Sequence, residues 1–449
     1  MNILVLNGSP KAGYSITIHT SYYIEKCTEG HQWNYLNIQQ RINKWKKDAS
    51  ELIDAIEESD LVIFSYPVYT LLAPYCVHQT IELMKEKGIR LDGKWATQIT
   101  TSKHFYDTTA HRFIEENLLD LGAYFIDGLS ADMDDILSPY GQKEALTFFD
   151  TVVFQMENNI YKRAGARWSE ASIRAYESHL PVLEKDIKKK VSIVTNASED
   201  DEALLAMISD FRNQLRAEST VYNIREYPFK SGCLGCFSCA DSGICMIKDG
   251  FDDYLRNEIQ NADSLVYAFR IKNHFTDSSL KCFDDRQFCN GHRQVTSGKP
   301  TLYLIAGDYS KEENLRTVVE ARSSVGGNYL SYVITDEHET DVEIEKGAKA
   351  LSYALQNDIV RSRNFYGVGG NKIFRDLIYK MRGMMKADYR FYKRNGYLDF
   401  PQKDRKTILM MKMVGLMMKM PDRKHKMKKY MNDGMIYPYR KVIDNIEGK

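Results

Sequence analysis

Short apolar runs alternate with amphipathic stretches along most of the chain. Ile3-Leu4-Val5-Leu6 has the continuous pattern of a buried strand, and from Ile18 to Ile24 apolar positions recur at helical spacing. A helix is predicted from about Asp48 to Glu58, a strand at Leu61-Val62-Ile63-Phe64-Ser65, a helix from about Pro74 to Glu86, and a strand from about Trp95 to Thr101. Another helix, a strand near Tyr124 to Ile126 and a long helix from about Gln142 complete the set. This alternation predicts an α/β fold: a parallel sheet with helices on both faces. In such a sheet ligands bind beyond the carboxyl ends of the strands, where the strand order switches. The loops at 7–17, 66–70 and 100–106 each follow a strand, so all three are expected on that edge.

The pattern starts again at Val191-Ser192-Ile193-Val194-Thr195. Glu58-Ser59-Asp60-Leu61-Val62-Ile63-Phe64 finds a counterpart in Asn261-Ala262-Asp263-Ser264-Leu265-Val266-Tyr267, and Leu91-Asp92-Gly93-Lys94-Trp95 in Thr296-Ser297-Gly298-Lys299-Pro300. These matches indicate a divergent duplication with a period of roughly 190–205 residues. Between the copies, 161–190 is polar and charged without Gly/Ser enrichment, which predicts a connecting helical segment. The expected domains are 1–160, a connector at 161–189, 190–360, and a tail at 361–449.

A length of 449 residues, 43% hydrophobic and 27% charged, suits a globular chain of two or three domains. The net charge is zero but unevenly spread: from Arg361 onward there are 23 Lys and Arg against 8 Asp and Glu, with 12 of the 18 methionines. The tail is therefore expected to be basic, Met-rich and helical, with helical spacing at 371–381 and 407–420, Pro421 as a stop, and a basic run at 423–429. Such a stripe most often packs on its own domain. Peripheral contact with anionic lipid and docking of a partner are the alternatives. The basic cluster is short and lies outside any recognised nucleic-acid module, so nucleic acid is not an expected partner. The opening apolar run is too short for a signal peptide, and no uninterrupted apolar stretch reaches membrane-spanning length; cytoplasm is the expected location.

Two loops carry candidate chemistry. After the first strand, Asn7-Gly8-Ser9-Pro10-Lys11-Ala12-Gly13-Tyr14-Ser15-Ile16-Thr17 leads into a helix N-terminus, where free N–H groups and hydroxyls can hold a phosphate. An ordinary tight turn is the plainer reading. In the second copy, Cys233, Cys236, Cys239 and Cys245 follow a C-x2-C-x2-C-x5-C spacing. One short loop can turn such thiolates toward an iron–sulfur cluster. Zinc usually takes two C-x2-C pairs with a longer spacer, and disulfides suit small secreted domains. Unliganded or redox-active thiols remain an alternative. Cys27, Cys76, Cys282 and Cys289 sit at unrelated spacings and read as core. His274 and His292 read as surface or hydrogen-bonding residues.

The first copy resembles the flavodoxin-like NAD(P)H-dependent FMN reductases, through Asn7-Gly8-Ser9-Pro10 with Ser15 and Thr17, and through Phe64-Ser65-Tyr66-Pro67-Val68-Tyr69. The resemblance implies two tandem flavodoxin-like sheets and an FMN phosphate held by Ser9, Pro10, Ser15, Ile16 and Thr17. It places the isoalloxazine beside Pro67, Val68 and Tyr69, with Thr101, Ser102 and Tyr106 closing its other side. The cysteine loop, continued by Met246-Ile247-Lys248-Asp249-Gly250-Phe251, resembles that of the iron–sulfur flavoproteins. This implies a 4Fe-4S cluster on Cys233, Cys236, Cys239 and Cys245, NAD(P)H as co-substrate, and a small-molecule or protein electron acceptor. Those proteins are oligomers in which one subunit's cluster serves another's flavin. A homo-oligomer is compatible with that resemblance, but here the economical expectation is a pseudo-dimer within one chain. The cysteine loop should then face 67–69 and 101–106. The second copy's first loop, with Glu199-Asp200-Asp201-Glu202, would repel a phosphate, so its flavin site is expected to be lost. A cluster-free quinone or nitro-compound reductase and a non-enzymatic redox-sensing or docking protein are the alternative functions.

Overall fold

The computed structural model describes residues 1–164, 172, 174–359, 362–417, 419 and 434–446. In the first copy the strands are β1 (Asn2–Asn7), β2 (Gln32–Asn37), β3 (Leu61–Pro67), β4 (Trp95–Ser102), β5 (Tyr124–Phe125) and β6 (Leu129–Asp132). They form a parallel sheet in the order β2-β1-β3-β4-β5, with β6 also pairing β4. The apolar runs of β1 and β3 are buried because helices cover both faces of the sheet. Edge strand β2 alternates exposed and half-buried positions and has no apolar run by which the sequence pattern could mark it. The second copy repeats the arrangement with β7 (Ile187–Thr195), β8 (Ala217–Asn223), β9 (Ser264–Arg270), β10 (Pro300–Ala306) and β11 (Tyr329–Thr335), ordered β11-β10-β9-β7-β8. Both sheets share one doubly wound topology.

The duplication is visible bond by bond. The Asp60 carboxylate accepts the N–H of Asn2 at 2.7 Å, and Asp263 accepts that of Lys190 at 2.9 Å. Lys94 Nζ caps the carbonyls of Glu57 and Ser59, as Lys299 Nζ caps those of Gln260 and Ala262. The copies meet through equivalent helices, Tyr75–Glu86 and Ser278–Arg286. At the start of each helix a backbone N–H donates to an acid on the other: Tyr75 to Asp285 at 2.8 Å, and Ser278 to Glu82 at 2.7 Å. That reciprocity is the signature of a two-fold axis between unequal halves.

The connector differs from expectation. Residues 174–186 contain no helix; they run as a strap along the helix Glu202–Gln214. Their polar groups are satisfied by that helix instead of by a helix of their own. Buried Asp210 accepts from Tyr176 Oη at 2.7 Å, Ser178 Oγ at 2.6 Å and the His179 N–H at 2.9 Å, and Lys185 Nζ caps the carbonyls of Arg212 and Leu215.

Both sheets lie in one compact unit, Met1–Phe391, which therefore extends past residue 360. The helix Phe365–Lys380 belongs to this unit, with the Phe374 ring 4.2 Å from Phe105 and 4.9 Å from His292. In the second unit, Tyr392–Lys449, the Met-rich segment is helical over Arg405–Met417 with no buried residue, and 434–446 is helical too. The basic run at 423–429 lies outside the described residues. Among these, no helix is long and apolar enough to cross a membrane.

Candidate cofactor site

The loop after β1 is held in a tight form by its own polar groups. Asn7 Oδ1 accepts the Ser9 N–H at 3.1 Å, Ser9 Oγ accepts the Lys11 N–H at 3.3 Å, and the Gly8 N–H donates to Ser65 O at 2.8 Å. A Cβ on Gly8 would stand 2.2 Å from Val77 Cγ2, so only glycine fits this approach. The loop delivers the chain to the helix Ile16–Cys27, whose N-cap Ser15 makes no side-chain cap. The first N–H groups of that helix thus stay available to an anion. Thr17 and Thr101 hydroxyls, 2.6 Å apart and buried, tie this loop to the end of β4.

A single cavity opens beside these residues. It is lined by Ser9, Ser15, Ile16, Thr17, Pro67, Val68, Tyr69 and Thr101 from the first copy, and by Cys233, Cys236, Cys239 and Cys245 from the second. Pro10, Ser102 and Tyr106 do not line it. Ser102 turns its hydroxyl to the His104 N–H at 2.9 Å. Tyr106, at φ +54°, packs against Phe105 and Tyr366, drawn away from the cavity by a helix whose position the local sequence does not contain.

The cysteine loop lies directly on the loop after β3. Gly235, at φ +61°, sits so close that a Cβ there would meet the Tyr69 hydroxyl at 2.1 Å. Burial, and next the nearby Cys233 thiol, holds the Tyr69 phenol well above its ordinary pKa. Left-handed turns at Gly235 and Phe237 let the chain present its thiols to one side. The sulfurs do not converge on a point: among the described residues no three thiols lie within 4.8 Å of one another. One tetrahedral zinc ion would need them roughly 3.8 Å apart. Burial raises the thiols of Cys233, of Cys239 to about 11, and of Cys289 to about 12. Cysteines that are reactive as free nucleophiles have the opposite shift. Buried thiols of this kind lose their protons when a cation binds them.

Several lining residues carry no sequence signal of their own. Cys289, read as core, is buried but lines the cavity, and Arg256 ties it to the cysteine loop by donating to the carbonyls of Cys289 at 2.7 Å and Gly243 at 2.8 Å. Cys76 and Cys282 are buried as expected, whereas Cys27 is exposed at a helix end. Phe374 and Leu377 roof the cavity from the helix Phe365–Lys380, and Lys11 brings positive charge to it, while Lys103 in the lining is paired with Asp132 at 2.5 Å and Asp134 at 3.0 Å. Lys11 could have been found from its place beside Ser9; the roof could not, being 360 residues away. His292 hydrogen-bonds Asp388 at 2.9 Å, and His274 bridges Asp120 at 2.9 Å and Glu312 at 3.0 Å.

In the second copy the corresponding edge is filled by its own charges. Asp201 Oδ2 accepts both the N–H and the hydroxyl of Ser198, at 2.8 and 2.9 Å, and Arg225 pairs with Asp277. A carboxylate occupies the turn to which a phosphate would have to bind.

No family model matches the chain. Over 175 residues it is 24% identical to an iron-sulfur flavoprotein of Archaeoglobus fulgidus, covering 37% of this chain and 79% of that protein. Among solved structures it is similar to an NADH:FMN oxidoreductase in its apo form, at 14% identity over 37% of this chain and 96% of that one, with a TM-score of 0.31. A flavoenzyme NAD(P)H:(acceptor) oxidoreductase from Paracoccus denitrificans shares 21% identity over 35% of this chain and 97% of its own, with a TM-score of 0.29. The match to the iron-sulfur flavoprotein is about as long as one of the two copies and agrees with the resemblance read from the loops.

Proposed function

We propose that this chain is an FMN-dependent NAD(P)H oxidoreductase that exchanges electrons between a flavin in the first copy and a 4Fe-4S cluster in the second. The observation that carries the reading is the one cavity shared by the phosphate-type loop, the loop at 67–69 and the thiols of the second copy. The residues present fit both groups. Ser9, Ser15 and Thr17, the uncapped helix start and Lys11 would hold the phosphate; Pro67, Val68 and Tyr69 give the ring an apolar wall. Cys233, Cys236, Cys239 and Cys245 would hold the cluster, with Cys289 beside them. The flavin supplies conversion between two-electron and one-electron chemistry.

The protein's own part is positional and electrostatic. Tyr69 carries the loop after β3 onto the cysteine loop at Gly235. Its raised pKa keeps the phenol neutral, so no charge is added there. Phe374 and Leu377 add apolar lining that lowers the local dielectric, which strengthens the action of Lys11 on any anion within. The acceptor is a small molecule or a redox protein.

An absorption spectrum with iron and acid-labile sulfide analysis tests this. The expected result is flavin bands over a broad brown background, with one FMN per chain. Flavin bands without iron after anaerobic reconstitution would leave a cluster-free reductase. Failure to bind FMN at all would overturn the reading.

A further inference from the structure

The helix Ser278–Arg286 lies between the two loops that form the cavity, and its last two residues point to different ones. Asp285 accepts the Tyr75 N–H and the Thr70 hydroxyl, each at 2.8 Å. It also pairs with Lys281 one turn back, and Lys281 Nζ donates to Tyr69 O at 3.0 Å and Thr70 Oγ1 at 2.8 Å. Arg286 forks onto Asp249 at 2.6 and 2.7 Å and donates to Ser231 O at 3.0 Å, at the start of the cysteine loop. All four charged side chains are at most 2% exposed.

Burying two ion pairs gains little over apolar packing of the same volume, because desolvation offsets the attraction. What the pairs supply is direction. Thr70 and Leu71 lie at φ +46° and +70°, a conformation that is strained for side-chain-bearing residues and persists only where the surroundings hold it. The turn is closed by its own backbone, the Tyr69 N–H donating to Leu72 O at 2.8 Å and the Leu72 N–H to Tyr69 O at 3.0 Å, and the contacts from Lys281 and Asp285 to Tyr69 and Thr70 anchor that turn to the second copy. Arg286 anchors the other loop through Ser231 and Asp249, which bracket the cysteines.

We infer that Lys281, Asp285 and Arg286 are positioning residues: one short helix sets the separation between the flavin loop and the cysteine loop by gripping each through a different ion pair. The helix belongs to the second copy while the loop after β3 belongs to the first, so the separation is fixed by packing between the copies. The cofactor meaning of that separation rests on the function proposed above; the grip itself does not.

Amide hydrogen exchange on the full chain without cofactors reads the grip directly. The double variant Lys281→Met/Asp285→Leu, which leaves no unpaired buried charge, is expected to speed exchange at 69–72 by about tenfold while leaving 231–249 unchanged. Arg286→Met/Asp249→Asn, which likewise strands no buried charge, should do the reverse. If the double variant does not fold, Thr70→Val removes the shared hydroxyl from the same loop and should speed exchange there alone. Equal acceleration in both loops, or in neither, would overturn the inference. A second readout is FMN affinity, which the double variant, or Thr70→Val in its place, should weaken about tenfold with iron content unchanged. Failure of the wild-type chain to take up FMN would count against the proposed function while leaving the exchange result to judge the grip.

Discussion

Gly235 and Tyr69 touch across the two copies inside the cavity. Gly235→Ala adds a methyl group where the Tyr69 hydroxyl already stands and imposes a left-handed conformation on alanine. It should cost about 1–3 kcal/mol of stability in denaturant melts. Adding Tyr69→Phe removes the clashing oxygen and should recover part of that loss, giving a coupling energy that two distant sites would lack. Cys239→Ser makes a separate check on the thiols: it should lower bound iron without lowering FMN content. Equal loss of both would mean that this cysteine holds the fold rather than a cluster.

At the level of elements, the two β–loop–helix units that open the copies share one geometry but differ in charge. Neither helix start has a side-chain cap, but in the second an acid, Asp201, stands at the N-cap position and takes up the Ser198 groups. FMN titration of the intact chain should therefore saturate at one equivalent, and Thr17→Val with Ser15→Ala should abolish it. Residual binding of a full equivalent in that variant would place flavin in the second copy. The strap at 174–186 makes an equally local prediction. Asp210→Ala strands several donors at once and should destabilise the chain by about 2–4 kcal/mol in a denaturant melt, with exchange rising first at 176–180.

For the whole molecule, the junction between copies should be sensitive to pH. Burial alone would lower the His274 pKa, but hydrogen bonds to Asp120 and Glu312 outweigh it and raise the imidazole to about 10. Its contribution is complete below the ordinary histidine value near 6.5 and is lost as pH rises through about 10. Burial pushes Glu82 and Glu116 up to about 7. As their folded values are raised, their stabilising neutral forms are complete below about 4.5 and are lost as pH rises through about 7. All three act in one direction. Melting temperature should fall from pH 6.5 to 10, and His274→Gln should flatten that slope while costing about 3 kcal/mol near neutrality. An unchanged slope would mean that the pair contributes nothing to holding the copies together.

Sequence by itself determined the two α/β copies, the loops that follow their strands, the four clustered cysteines and the charge that closes the second copy's phosphate turn. Each of these depends on local chemistry: the period of apolar positions, the glycine a close approach needs, the thiols one short loop can carry. The expectation that the cysteine loop faces 67–69 came from the family resemblance; tertiary structure alone decided that Cys289 joins its thiols at the cavity, that Tyr106 turns away, and that a helix from past residue 360 forms the roof. It also decided that the connector is a strap, because its hydrogen-bond partners sit on a helix some 30 residues ahead. Those outcomes depend on which faces of two similar bodies are brought together. Neither hydrophobic period nor loop composition encodes that pairing, which is set by complementary buried groups such as Asp285 and Glu82, distant in sequence and reciprocal in space.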